Sequence, residues 1–243
     1  TLASQQAEFI TQYACSNGYK RFAILSQDNK TGDIISYAVK KAADACGAYV
    51  TKAAFYDPKL DIFQPAVQSI VPKTIDELEK EREDELKRLE KLRPDVIAGK
   101  SIKMMNEETE KWESVKWTEE ELDTHMNELR EKELIRDPFE FDALFVSDDG
   151  SKLRSLGAMF NYYDIPSEIK IIGTSQWAEA KPQQEASLVG GWFANLAQTE
   201  FKNWSKKYEK EFGEKPARIA SQAYDAISLT ISLVDNYGTI DSK

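Results

Sequence analysis

The chain has 243 residues, 41% of them hydrophobic, with a formal net charge of −10 and a pI near 4.9. That length fits one large domain or two small ones, and the negative charge disfavours nucleic acid and anionic membrane surfaces as partners. No run approaches the roughly 18 apolar residues of a membrane span. Two cysteines are too few for a disulfide scaffold or a cysteine-rich zinc site, and the single histidine, His125, cannot form a metal cluster.

The first residue is Thr1, which predicts a mature or trimmed product whose targeting signal is not visible. Residues 2–17 read as a helix with Leu2, Phe9, Ile10, Tyr13 and Ala14 on its apolar side, stopped at Asn17-Gly18. Arg21 to Leu25 is a buried strand. It leads through a polar turn, Ser26 to Gly32, into a helix starting near Gly32 and carrying Ile34, Ile35, Ala38, Val39 and Ala42 at helical spacing. This is the strand-loop-helix opening of a parallel α/β unit. Cys46-Gly47 ends that helix. A second strand spans Tyr49 to Phe55, the turn Tyr56-Asp57-Pro58 follows, and a short helix carries Phe63, Ala66, Val67 and Ile70.

Composition changes between residues 73 and 137, where 14 Lys and Arg and 21 Asp and Glu fall among 65 residues. Two helices are signalled there by capping boxes, Thr74 with Glu77 and Thr118 with Glu121. Leu78, Leu86, Leu89 and Leu92 stripe the first, and Leu122, Met126 and Leu129 the second. Such thin stripes between charged faces suit a helical hairpin or a helix lying against a partner; a merely solvated decoration is the plainer alternative. Val96 to Ala98 reads as a short extended piece, while Trp112 and Trp117 have no assignment. The α/β rhythm resumes with a strand at Phe141-Asp-Ala-Leu-Phe-Val146, a helix at Lys152 to Tyr162 and a strand at Lys170 to Ile172. A weaker strand at Ser187 to Gly190 follows, then helices at Gln198–Phe212 and Ile219–Tyr237. The fold class is therefore α/β, a doubly wound parallel sheet with a charged helical insert.

In an open parallel sheet, ligands bind beyond the carboxyl ends of the strands. Three of these exits are polar: Ser26-Gln27-Asp28-Asn29-Lys30-Thr31, Ser147-Asp148-Asp149, and Thr174-Ser175-Gln176-Trp177. Gln27, Asp28, Thr31, Ser147, Asp148, Thr174, Ser175, Gln176 and Trp177 are the candidate ligand-binding residues. Their hydroxyls, amides and indole suit a small polar ligand held by hydrogen bonds and one stacked ring. The competing reading is that Ser147, Asp148, Thr174 and Ser175 cap helices. The sequence has no G-x-G-x-x-G, no G-x-x-x-x-G-K-[ST] and no G-x-S-x-G, so neither nucleotide binding nor a hydrolase elbow is signalled. No catalytic set, cofactor or metal is predicted. Cys15 and Cys46 end the helices on either side of the opening strand; a disulfide and two buried free thiols are both open.

Gly18-Tyr-Lys-Arg-Phe-Ala-Ile-Leu25, the Asp28-x-x-x-Gly32 loop, Ala-Cys46-Gly-Ala and Tyr56-Asp-Pro58 together resemble type I periplasmic ligand-binding proteins of the Leu/Ile/Val-binding kind. Phe141-Asp-Ala-Leu-Phe-Val-Ser-Asp148, Ile171-Ile-Gly-Thr-Ser-Gln-Trp177, Phe212-Gly-Glu-Lys-Pro216 and Ala223-Tyr-Asp-Ala226 continue the resemblance in order. The charged insert looks most like the penicillin-binding protein activator branch, related to lipoproteins that regulate peptidoglycan synthases.

The resemblance implies a chain truncated at its N-terminus. Residues 1–193 would be the second lobe with its insert at 73–137. Residues 194–243 would be the hinge return and the helices of a largely missing first lobe. It also implies a non-catalytic periplasmic module, anchored in full length as an outer-membrane lipoprotein, that binds a small polar ligand or a peptidoglycan synthase. The alternative is the substrate-binding component of an ABC-type importer. Two positions depart from the resemblance. Thr31 stands where an aromatic is common, and Ser175-Gln176 stand near the expected acidic partner of a ligand ammonium, with Glu179 poorly placed to replace it. An unpaired desolvated ammonium is costly, which counts against free amino acids.

Overall fold

Strand β1 (Arg21–Gln27) is buried on both faces along almost its whole length, and this continuous apolar run fixes it inside a covered sheet. A computed structural model of the chain describes residues 2–60, 62–106, 109–148, 150–180, 186–195, 198–217 and 220–237. The remaining strands are β2 (Tyr49–Tyr56), β3 (Ile102–Asn106), β4 (Lys111–Val115), β5 (Ala143–Ser147), β6 (Lys170–Gly173) and β7 (Trp192–Phe193). Five of them form one parallel sheet in the order β2-β1-β5-β6-β7, as the doubly wound reading expects.

Side chains alternate across the sheet. Phe22, Ile24, Ala143, Phe145 and Ile172 meet Ala7, Ile10 and Ala14 of helix α1 (Ala3–Ser16) and Ile35, Ala38 and Val39 of α2 (Lys30–Ala45). Leu25, Leu144, Val146 and Ile171 point to the opposite face. There α3 (Gln64–Ile70) buries Val67 and Ile70, and α6 (Gly150–Tyr162) buries Leu153, Leu156 and Phe160.

Helix α2 starts earlier than its apolar spacing suggests. Asn29 is the cap: its side chain accepts the Gly32 N–H at 2.9 Å, and its carbonyl accepts the Asp33 N–H. A side chain at Gly32 would run into the Gln27 carbonyl, so this turn packs directly on the end of β1. The weaker strand expected at Ser187 to Gly190 is instead a 3₁₀ turn, Ala186–Leu188, and the strand is β7. Gly190, at φ 84°, supplies the left-handed step between them. Strand β2 lies at the sheet edge and carries one extra residue opposite Phe22/Ala23: Phe22 pairs with Val50 and Ala23 with Lys52. The Thr51 hydroxyl between them donates to the Phe22 carbonyl at 3.1 Å.

Residues Val71–Phe139 form a compact unit of their own. Both capping boxes are present, opening α4 (Ile75–Ile97) and α5 (Glu119–Glu131). Val96 and Ile97 are helical, not extended: α4 continues past Pro94 until Gly99 turns left-handed and the Lys100 N–H returns to the Asp95 carbonyl. Between the helices lies a two-stranded antiparallel sheet, β3 with β4, that helical periodicity alone does not reveal. Its Ile102 and Met104 join Leu89, Val96, Leu122 and Met126 in a separate small core, against which Trp117 packs. Trp112 stays exposed beneath the Arg88 guanidinium, 5.1 Å from its ring centre.

Arg93 ties α4 to α5. It donates to Glu90 at 2.8 Å and to Asp123 at 2.7 Å, and approaches Glu119 at 3.4 Å. These bonds, Glu90 first, hold the guanidinium pKa above its ordinary value, and the same bond from Arg93 holds the Glu90 carboxyl below its own. The Thr118 N–H lowers Glu121 in the α5 cap in the same way. Carboxyls with depressed pKa values stabilise the fold above the carboxylate range and lose that contribution as pH falls through the depressed value. Acid should therefore weaken the Glu90–Arg93 bond within α4 and the Glu121 cap of α5, and Arg93→Ala, which also removes the bond to Asp123 of α5, should lower stability at neutral pH while flattening its acid dependence. Circular dichroism melts between pH 7 and pH 3 test this; an acid transition unchanged by the substitution would exclude Arg93.

Cys15 and Cys46 are joined as a disulfide, with Cα atoms 6.4 Å apart and a sequence separation of 31. It links the C-terminal ends of α1 and α2. Cys15→Ser with Cys46→Ser should lower stability by about 2–4 kcal/mol. Urea unfolding of the variant, and of wild type with and without reductant, measures the loss.

Candidate functional site

Chain direction locates the site. From β1 the chain turns to α2 on one face, and from β5 to α6 on the other, so the exits of these adjacent strands diverge and leave a crevice. Ser26 and Ser147 are paired at its base, both buried.

Beyond them the Asp148 carboxylate is 1% exposed. It accepts the Tyr56 hydroxyl from β2 and the Gln27 amide, the latter at 3.3 Å. The Gln27 oxygen accepts the Asn29 amide at 2.9 Å. Three strand ends are thus tied by one buried acid and its donors, since a buried carboxylate persists only with such partners. Tyr56, which the sequence marks only as part of a turn, is a member of this network. Its ring also stacks edge-on with Phe63, at 5.1 Å between centres.

The candidate residues divide by exposure. Ser147 and Asp148 are buried, and Gln27 is half-buried with its amide engaged at both ends. Asp28 and Thr31 are exposed; the Asp28 N–H extends the sheet by donating to the Tyr56 carbonyl at 2.7 Å. At the third exit Thr174 is buried, its hydroxyl 3.3 Å from the Gln176 side-chain oxygen, while Ser175 is half-buried and Gln176 exposed. The Ser175 N–H donates to the Gln6 side chain of α1 at 2.9 Å. Gln6 was legible only as a polar residue beside Ala7 and Ile10 on the buried face of its helix.

Trp177 does not offer a stacking face. It is 1% exposed, its indole N–H donates to the Val146 carbonyl at 3.2 Å, and its ring lies against Gly173 and Gly191. The bare Cα of Gly173 is what admits the ring, so the indole packs inward beneath the loop that was expected to present it. Asp149 lies outside the described residues, as does the side chain of Glu179. Among the described residues no group of three or more His, Cys, Asp or Glu side chains could hold a metal, and no helix is long and apolar enough to cross a membrane.

No protein-family model and no curated protein matches the chain. Solved structures do. A leucine binding protein of Thermotoga maritima aligns over 99% of this chain and 52% of its own, with a TM-score of 0.50 and 12% identity. A branched-chain amino acid ABC transporter periplasmic ligand-binding protein of Burkholderia xenovorans aligns over 98% and 47%, with a TM-score of 0.52 and 11% identity. A putative branched-chain amino acid ABC transporter protein of Rhodospirillum rubrum aligns over 96% and 50%, with a TM-score of 0.51 and 15% identity. The fold is that of one lobe of a type I periplasmic binding protein. The chain spans about half the length of these structures.

Removing one donor from a buried carboxylate leaves its desolvation uncompensated. Tyr56→Phe should therefore cost about 1–3 kcal/mol in urea unfolding. A loss within error of zero would show that the Tyr56–Asp148 bond does not hold the strand ends.

Proposed function

We propose that residues 1–193 are a non-catalytic ligand-binding lobe of a solute-binding protein that serves an ABC-type importer. The observation that carries this is the polar crevice at the β1/β5 switch point, in a fold shared with importer components. The exposed groups at its rim, Asp28, Thr31 and Gln176 with half-buried Ser175, suit a small polar ligand held by hydrogen bonds. No aromatic ring stands at Thr31 and no acid at Ser175-Gln176, which disfavours a free amino acid despite the ligands named for the similar structures. A periplasmic setting accords with the Cys15–Cys46 disulfide, since such bonds persist in oxidising compartments.

The second reading is a penicillin-binding protein activator, lipid-anchored in full length, acting through residues 73–137. Its support is that this segment falls within a unit with its own core and a highly charged surface. The importer reading is favoured because two of the similar structures named above are of ABC transporter proteins.

Thermal-shift measurements against sugars, polyols, amides, amino acids and aromatic acids test the proposal. A ligand at a hundredfold excess over its Kd stabilises by about 2.7 kcal/mol, which is readily seen. The expected result is a shift with one polar class, reduced in Gln27→Ala and Gln176→Ala. No shift with any class, together with capture of a peptidoglycan synthase that is lost on deleting 73–137, would replace the importer reading with the activator reading.

A further inference from the structure

We propose that a cavity at the amino ends of β6 and β7 binds a small monocarboxylate with an apolar body. The cavity measures about 200 Å³ and lies between the end of α6, the loop into β6 and the turn before β7. The strands are parallel, so their amino ends lie opposite their exits, and this cavity is separate from the crevice at Ser26 and Ser147. An apolar cavity of about 150 Å³ takes up benzene. The space here admits a body of that size with a carboxylate added.

Its walls are mostly hydrocarbon. Phe160, Ile169 and Ile171 are buried, and Ile165, Pro166 and Val189 complete the apolar lining. One cation is held among them. The Lys170 ammonium donates to the Gly190 carbonyl at 3.0 Å and stands 4.8 Å from the centre of the Trp192 ring. It has three donors, so these contacts orient it and leave at least one N–H for a ligand. Among the described residues no Asp or Glu forms an ion pair with it. Both hydroxyls of the lining are engaged: Ser187 donates to the Gly157 carbonyl at 2.6 Å, and Ser167 to the Glu168 carboxylate at 3.4 Å. The last carbonyls of α6 are engaged as well. Those of Met159, Phe160 and Asn161 accept the N–H groups of Tyr163, Ile165 and Asp164, so the negative end of the helix sets no bare oxygens there against an anion. One oriented cation in a hydrocarbon wall selects one negative charge on a hydrocarbon body. A neutral molecule would leave the ammonium unmatched, and a multiply charged anion would lose its hydration against apolar side chains. The inference does not depend on the importer reading, whose ligand would sit at the other end of the strands.

The test is a titration of the isotope-labelled whole chain with hexanoate, followed by amide chemical shifts, with hexanol, acetate and chloride as controls. Hexanoate should bind saturably with a Kd of about 1 mM or below, a strength open to a ligand of so few atoms. It should shift the amides of Ile165, Ile169, Ile171 and Gly191 and leave those of Gln27, Asp148 and Gln176 unmoved. Hexanol, which lacks the charge, and acetate, which lacks the body, should each bind more weakly. Lys170→Met keeps the stem and removes the charge. It should weaken hexanoate binding about tenfold or more, as expected for the loss of a charge-assisted hydrogen bond, and leave hexanol binding unchanged. Lys170→Arg should keep most of the affinity. Four results would overturn the proposal: hexanol binding as tightly as hexanoate, the same shifts with acetate or chloride, shifts centred on the crevice residues, or no saturable shift at all. The comparison of hexanoate with hexanol on the wild-type chain decides the matter even where Lys170→Met does not fold.

Discussion

Strand β1 depends on its pairing with β5, and the polar crevice at their exits depends on that pairing in turn. Ser26 and Ser147 stand opposite each other only in the observed register. Moving β1 by one residue would turn Phe22 and Ile24 away from α1 and α2 and put Arg21, Ala23, Leu25 and Gln27 in their place, with a charge at one end and an amide at the other. The hydrophobic pattern therefore enforces the register. The register brings Gln27 level with Asp148, and the third strand supplies Tyr56. The crevice follows from core packing rather than from any property of the loops that line it.

The Val71–Phe139 unit solves a different problem. Its sequence supplies few apolar residues and many charges, so its core is small, and hydrogen-bonded ion pairs work at its boundary. The guanidinium groups of Arg93 and Arg88 reach the sulfurs of Met126 and Met104 at the edge of this core and also engage carboxylates of Glu90, Asp123 and Glu85. The dense charge that marks the segment in the sequence is thus partly structural.

Much of this was readable beforehand, for identifiable reasons. Period-two and period-3.6 patterns place β1, β2, β5, β6 and the major helices, and the Thr-x-x-Glu boxes place the starts of α4 and α5 within a residue. Short elements were not so readable. The alternation Ile102, Met104 is too brief to outweigh the flanking charges, and β7 is only two residues, held by its partner rather than by its own propensity. Asn29 has ordinary cap chemistry, but several neighbours could cap as well, and only the bare Gly32 decides among them. At the site, the sequence places polar groups at strand exits correctly and cannot say which point outward. Trp177 turns in because Gly173 leaves room for it, and Gly173 carries no signal of that on its own.

The extra residue in β2 bears on how the molecule behaves at high concentration. An exposed sheet edge is a template on which a further strand can grow, the first step toward fibres. Here the edge strand is bent out of flat register at Thr51, and its next residue, Lys52, holds Glu140 at 3.0 Å. A bulge and a charge on the rim leave an incoming strand with mismatched hydrogen bonds and a lysine to desolvate. That barrier to runaway sheet extension stands at the first strand pair the chain builds.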